Sequence, residues 1–428
     1  MARIREKVKT RPVDALVIIG GGASGLMAAL AAAEAGVRPV ILERMDRVGK
    51  KILATGNGRC NLTHLSADPS RYHGADPAFT APALSRFGVT RTLELFEKMG
   101  LETKTEENGR VFPRTDQASA VLDVLRYETA RLRAEELCLS EVRTIECADG
   151  VFRISLENGH VRFASTVVLA AGGRAAPALG SNGSGFQLAR GLGHSVVEPF
   201  PAIVQLKLRE ASLRKLKGVK IQGRLDLTAG GGSLCSESGE ILFTEYGLSG
   251  PPALKCARTV NNLLSGGRGP SVTLDCFPEK SAAECLALLE SRRGSLGYKS
   301  ASDGLVGLVH KRLIPVLLEK AMVDRDKPWK KFSDGELKRL NACLKSWTFE
   351  VIGTRSWLDA QVTAGGVATR EIVPETLESK RVPGLFFAGE IMDVDGDSGG
   401  FNLQWAWSSG RLAGGAAAAR ILAAAEGN

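Results

Sequence analysis

Nowhere in its 428 positions does the sequence hold a run of 18 strongly apolar residues, so no membrane-spanning helix is expected. The opening twelve residues, MARIREKVKTRP, are basic and have no apolar core, which argues against a secretory signal. Eight cysteines (60, 138, 147, 235, 256, 276, 285 and 343) include no C-x-x-C pair and no metal-ligand spacing. That pattern points to reduced thiols in a cytoplasm and away from a disulfide framework. The five histidines (64, 73, 160, 194 and 310) show no helical pairing, so no metal is expected. There is no long low-complexity tract either. What remains, 44% apolar and 24% charged, is the composition of a globular protein. Its length exceeds the roughly 250–300 residues at which single cores stop growing, so two or more domains are expected.

Positive charge is in excess, at +9, and it is unevenly placed. Residues 201–350 carry 24 Lys and Arg against 16 Asp and Glu, and the first twelve residues carry five basic side chains against one acid. Lys207, Arg209, Arg214, Lys215, Lys217, Lys220 and Arg224 face one acid within 18 residues. Trp329 and Phe332 lie among Arg325, Lys327, Lys330 and Lys331. Such a segment suits either a solvated basic face or a polyanion such as RNA, by phosphate neutralisation with some stacking. No named RNA-binding motif accompanies it.

The strongest signal is residues 15–61. Ala15–Ile19 reads as a buried parallel strand, followed by Gly20, Gly22 and Gly25 in G-x-G-x-x-G. An Ala-rich helical run from Leu26 to about Ala35 is stopped by Gly36. Val40–Leu42 forms the next strand, closed by Glu43, 23 residues after Gly20. Strand, turn, helix, second strand and acid in this register specify a dinucleotide site. The first glycine allows the tight turn, the second admits the pyrophosphate, the third lets helix pack on strand, and the acid accepts from a ribose hydroxyl.

Further on, Gly56 and Gly58 in KILATGNGRCNLTH predict a loop returning across the cofactor. Helical spacing over 80–100 and 116–133 brackets a hairpin near 107–114. Strands are predicted over 141–146, 151–156 and 161–163, as an antiparallel layer covering the sheet. A separate strand, TVVLAAGG (166–173), ends in small residues that leave room for a ligand, and a Gly/Ser-rich loop with a short helix follows. Residues 201–276 contain strand-like runs at 204–208, 219–227, 241–244 and 272–276, and 279–350 is mostly helical in pattern. Residues 1–200 and 351–428 are therefore expected to form one discontinuous α/β cofactor domain. An inserted domain, 201–350, would be β-rich to about 278 and helical from about 279.

Four separated stretches, GGGASG with Glu43, GNGRCNLTH, TVVLAAGGRAAPALGSNGSGF and GLFFAGEIMDVDGDSGGFNLQWAWSSG, together resemble the BaiN/RdsA-type NAD(P)/FAD-dependent oxidoreductases. ILFTEYGLSGP and VTAGGV are similar to further segments of that family. The resemblance implies a glutathione-reductase-like Rossmann FAD fold, discontinuous around the insert. It implies non-covalent FAD held by Gly20, Gly22, Ala23, Ser24, Gly25 and Glu43, by Lys51, Thr55, Gly56, Gly58, Arg59 and Asn61, and by Val142, Ala171 and Gly172. Gly389 and Glu390 would approach the ribityl and phosphate. Gly399, Gly400, Phe401, Asn402 and Gln404 would open the last helix towards the flavin.

The chemistry the resemblance implies is reduction of a conjugated C=C bond, with hydride from flavin at one carbon and a proton at the other. Cys60 is a candidate proton donor, Tyr246 its rival, and Arg59 beside Cys60 a further catalytic candidate. No second nucleotide motif is present, so NAD(P)H would bind transiently over the flavin, or another reductant would serve. Uracil in ribosomal RNA is the favoured substrate on the charge pattern. The alternatives are a small enone or amine, and a non-catalytic redox-sensing flavoprotein.

Overall fold

The computed structural model describes residues 13–426, and the basic tail noted above lies outside them. The chain forms two compact units, one comprising the segments that end at Phe200 and begin at Gln361, the other Pro201–Ala360.

The first unit is built on Asp14–Ile19 (β1), whose last four residues are buried. It pairs in parallel with Pro39–Leu42 (β2) on one side and Val161–Leu169 (β3) on the other. The helix Ala23–Glu34 (α1) connects β1 to β2 and buries ten of its twelve residues. A helix buried nearly all round must be apolar on every side, and its alanines also permit close approach. The terminal helix, Phe401–Glu426, exploits this. A Cβ at its Gly410 or Gly414 would land on the carbonyl oxygen of Ser24 or Ala28. Gly36, at φ +89°, ends α1 by donating to Ala33, with Val37 donating to Ala32.

Two expectations change here. The predicted strands 161–163 and 166–173 are one strand, β3, because Ala164 and Ser165 contain no turn chemistry to separate them. Its first half pairs antiparallel with Val151–Leu156, and its second half lies parallel to β1 and Leu385–Phe387. The antiparallel meander therefore extends the same seven-stranded sheet and does not cover it. The expected loop after Glu43 also contains a short helix, Lys50–Ala54, started by Gly49 at φ +73°.

The second unit is centred on a closed antiparallel barrel. Its strands run in the order Leu206–Leu208, Gly247–Ser249, Gly232–Phe243, Lys220–Ala229, Ser271–Asp275 and Trp347–Thr354. Leu225, Leu227, Ile241, Phe243, Val272 and Leu274 alternate inward and are fully buried. The last strand runs past the expected boundary at 350 because it pairs with both Leu206–Leu208 and Ser271–Asp275. The helix Pro251–Ser265, which the strand-like texture did not predict, begins on two prolines suited to a first turn.

The basic segment looks different once folded. Arg209 pairs with Glu350, Lys215 with Glu319, Lys217 with Glu245 and Lys220 with Glu240, at 2.9–3.2 Å. Arg224 pairs with Asp226 and Asp275. Five of the seven bases thus meet acids that sequence distance concealed. Trp329 is fully buried and stacked on buried Phe332 at 4.7 Å, so neither ring is a platform for bases.

In the first unit, His194 is sealed between Glu371 and Ser379, with Nδ1 3.1 Å from Glu371 Oε2 and Nε2 2.9 Å from Ser379 Oγ. Burial lowers the His194 pKa below its ordinary value despite the Glu371 charge. Burial opposes charge on Glu371 too, but Ser195 N–H and Arg381 hold it down at about 2. Both pKa values are lowered on folding. Their stabilisation is complete above about 6.5 for the histidine and 4.5 for the glutamate, and is lost as pH falls through the folded values. Denaturant unfolding followed from pH 7 to pH 3 should show declining stability. Glu371→Gln should cost about 1–3 kcal/mol at pH 7 and flatten the decline below pH 4.5; an unchanged slope would refute this assignment.

Candidate cofactor and active site

The three motif glycines occupy three physically different places. Gly20 has φ +104°, and a Cβ there would strike the Ala170 carbonyl. Gly25 lies against the Gly20 carbonyl, leaving no space for a side chain. At Gly22, the residue before α1, an added Cβ meets nothing within 4 Å. No side chain caps this end of α1 and no acid occupies its first turn. Helix packing and the tight turn thus demand two glycines, while the third faces open space at a positive helix end. Ala23 and Ser24 follow, and Ser24 Oγ donates to Ala388 O at 3.3 Å.

Glu43 is buried at the end of β2. Its Oε2 accepts from Gly21 N–H and its Oε1 from Met45 N–H, both at 2.8 Å. Each oxygen keeps a second lone pair for a ribose hydroxyl. Gly49 N–H donates to Gly21 O at 2.8 Å, which closes the next loop onto the glycine turn. Lys51 then reaches Glu390 at 2.8 Å, and the other Glu390 oxygen accepts from Thr363 N–H. Thr363 Oγ1 in turn accepts from Arg174 N–H and Ala175 N–H. Thr363 lies in the VTAGGV segment, but no local pattern marks its role there. Gly389, at φ +78°, sits over Ser24 and donates to Ser409 Oγ at 2.9 Å. Ala171 and Gly172 continue from β3, with Gly172 at φ +70° against Ser181. Val142 pairs with Leu156 and is buried.

The loop 55–61 is wound tightly, with Gly56, Asn57, Gly58 and Cys60 all at positive φ. Thr55 Oγ1 donates to Ile52 O at 2.6 Å, and Cys60 N–H to Thr55 O at 2.9 Å. Arg59 is committed to Glu106 and Asp116 at 2.7–2.8 Å and lies 4.1 Å over the Phe112 ring, so its guanidinium anchors the loop. Cys60 has no accessible surface, and burial pushes its thiol up to about 12, with a smaller opposing influence from the Thr55 side chain. Asn61 is different: its Oδ1 is buried without a protein partner, beside Gly400. An orphaned acceptor in a buried cradle is the sign of a missing donor.

Gly399 and Gly400, at φ +136° and +105°, bring the chain against Asn61 and Thr63 before the terminal helix. His64 stacks on Phe401 at 4.6 Å, and Tyr72 OH donates to Phe401 O. Asn402 spends its amide on Gly396 and Asp397, which shapes the turn. Gln404 is fully buried, accepting from Thr63 and donating to Phe87, Thr92 and Ser408. Its amide is held entirely by protein groups of the first unit. Tyr246 belongs to the other unit, where its ring lies 4.6 Å beneath the Arg355 guanidinium.

The glycine geometry separates two substitutions. Compared as flavin-free proteins, Gly22→Val should melt close to wild type, because its side chain enters only open space, yet it should fail to take up flavin. Gly25→Ala should lower the melting temperature as well, since it strikes Gly20 O. Retention of flavin by folded Gly22→Val, read from absorbance, would refute the cradle.

The sequence matches the family model described as the HI0933-like protein Rossmann domain over residues 14–416. It is 40% identical over 414 residues to the 3-dehydro-bile acid delta(4,6)-reductase of Clostridium scindens, covering 94% of this chain and 98% of that one. It is 32% identical to the ribosomal RNA dihydrouridine synthases of Escherichia coli and Haemophilus influenzae, with 92% of this chain matched in each case. Those alignments cover 95% and 96% of the two synthases. With the glycine turn and Glu43 at the carboxyl ends of the parallel strands β1 and β2, the chain belongs to the HI0933-like Rossmann family and is a flavin-dependent oxidoreductase.

Proposed function

We propose that the chain reduces a carbon–carbon double bond conjugated to a carbonyl, and that its substrate is a small enone. FAD is the cofactor, and the observation that supports this reading is the open cradle at Gly22, between the uncapped end of α1 and the Glu43 carboxylate. The N–H groups of α1 would hold the pyrophosphate and Glu43 the adenosine ribose. The Asn61 Oδ1 orphan would accept from the cofactor. Gly399 and Gly400 open the terminal helix and would lend partial positive charge to the ring. The chemistry that bound FAD, reduced by a transient NAD(P)H, would supply at this site is hydride for the electron-poor carbon.

A small substrate is preferred for two reasons. The 40% identical relative is named as a reductase of a dehydro-bile acid. Five of the seven bases over 207–224 are ion-paired, and Trp329 and Phe332 of the other basic stretch are buried, which leaves fewer groups for RNA. Uracil in ribosomal RNA is the second reading, favoured by the two dihydrouridine synthase relatives; uracil offers the same conjugated bond. Purified yellow protein should release intact FAD on heating and oxidise NAD(P)H in the presence of a steroid enone. Ribosomal RNA from cells with and without the gene should show the same dihydrouridine by mass spectrometry. Loss of a dihydrouridine in the deletion, with no enone turnover, would reverse the order.

We read Cys60 as a packing residue of the loop, since a thiol without accessible surface has no contact with substrate. Cys60→Ala should keep turnover within about tenfold of wild type, whereas a lost general acid costs roughly 10²–10⁴-fold. A fall in that larger range, with flavin content intact, would restore Cys60 as the proton donor.

A further inference from the structure

All eight cysteines are unpaired, yet two of them are in direct contact. Cys235 lies on the barrel strand Gly232–Phe243 and Cys256 on the helix Pro251–Ser265, and their sulfurs are 3.3 Å apart. Sequence spacing gave no hint of this, because the residues are 21 positions apart and come together only when the helix folds back on the strand. We propose that Cys235 and Cys256 form a redox modification site that a small disulfide oxidant converts to an internal disulfide.

The two thiols are unequal in the way such a site needs. Cys235 is half-buried and reachable, whereas Cys256 has no accessible surface and sits behind it. The Cys256 S–H donates to Cys235, and this contact lowers the pKa of Cys235 from its ordinary value. Burial, Glu237 and Asp226 oppose that shift, and the Lys255 ammonium supports it. The same contact, with burial, pushes Cys256 up. Cys235 is thus the nucleophile and Cys256 the resolving thiol.

The step balances. The Cys235 thiolate attacks one sulfur of the oxidant RSSR, forming a mixed disulfide and expelling RS⁻. Cys256 then loses its proton, its sulfur attacks Cys235 Sγ, and the second RS⁻ leaves. Two protein thiols are oxidised by two electrons, RSSR is reduced to two RSH, and the two thiol protons end on them. The sulfurs must approach by roughly 1.3 Å to reach the ~2.05 Å of a disulfide, a small adjustment for one strand and one helix already in contact. The bond would close a covalent loop around residues 235–256, which includes the turn Thr244–Gly247 and Tyr246. It would fasten helix to barrel.

The test uses the intact flavin-loaded protein and oxidised glutathione, followed by blocking of free thiols and mass spectrometry of non-reduced peptides. The expected result is a Cys235–Cys256 linked peptide as the first internal crosslink, reversed by dithiothreitol. In Cys256→Ser, oxidation should stop at glutathione attached to Cys235. Cys147, the exposed cysteine on the strand Val142–Ala148, controls for accessibility, and Cys235 should react at least tenfold faster than it at pH 7. A crosslink between other cysteines appearing first would overturn the proposal. So would a mixed disulfide persisting at Cys235 in the wild type, or modification of Cys147 ahead of Cys235.

Discussion

The contact on which the cofactor unit depends is backbone against backbone, where Gly25 meets the Gly20 carbonyl and Gly20 meets Ala170. Only residues without a Cβ let α1 start directly over the ends of β1 and β3. The same requirement recurs on the other face of α1, where Gly410 and Gly414 of the terminal helix lie on Ser24 and Ala28. Segments nearly 400 residues apart are thereby locked to one short helix. The N-terminus of that helix is left uncapped and facing open space, so the packing constraint and the binding property have one origin.

Around this turn the polar side chains mostly hold one another. Glu43 ties the glycine loop to the strand after it, Lys51 and Glu390 join the second loop to the C-terminal segment, and Arg59 anchors the same loop through Glu106 and Asp116. Such pairing fixes the backbone groups and leaves few side-chain atoms free for chemistry. Asn61 Oδ1 stands out because it is buried and unsatisfied. On the proposed reading the cradle would bind FAD chiefly through main chain, at the turns that glycines 20, 22, 25, 399 and 400 permit.

The barrel unit follows another logic. Its strands alternate between an apolar interior and a charged exterior whose acids and bases pair across strands and helices. Exposed pairs of this kind contribute about 0–1 kcal/mol each to stability, but they cancel local charge. Much of the basic run is therefore paired with acids on the folded surface, and Trp329 with Phe332 forms core.

Elements whose information is local are legible in the amino-acid sequence. The β1–α1–β2 unit, the stop at Gly36, the capping acid Glu43 and the long terminal motif are each written within a few dozen residues, because turn geometry and helix termination depend on neighbours in the chain. Tertiary structure alone decided what depends on distant partners. It merged two expected strands into β3 by supplying pairing partners along its whole length. It carried the barrel past residue 350, enclosed Gln404 and Cys60, and set Cys235 against Cys256. Burial, ion pairing and thiol contact are properties of which surfaces meet, and no local pattern encodes them.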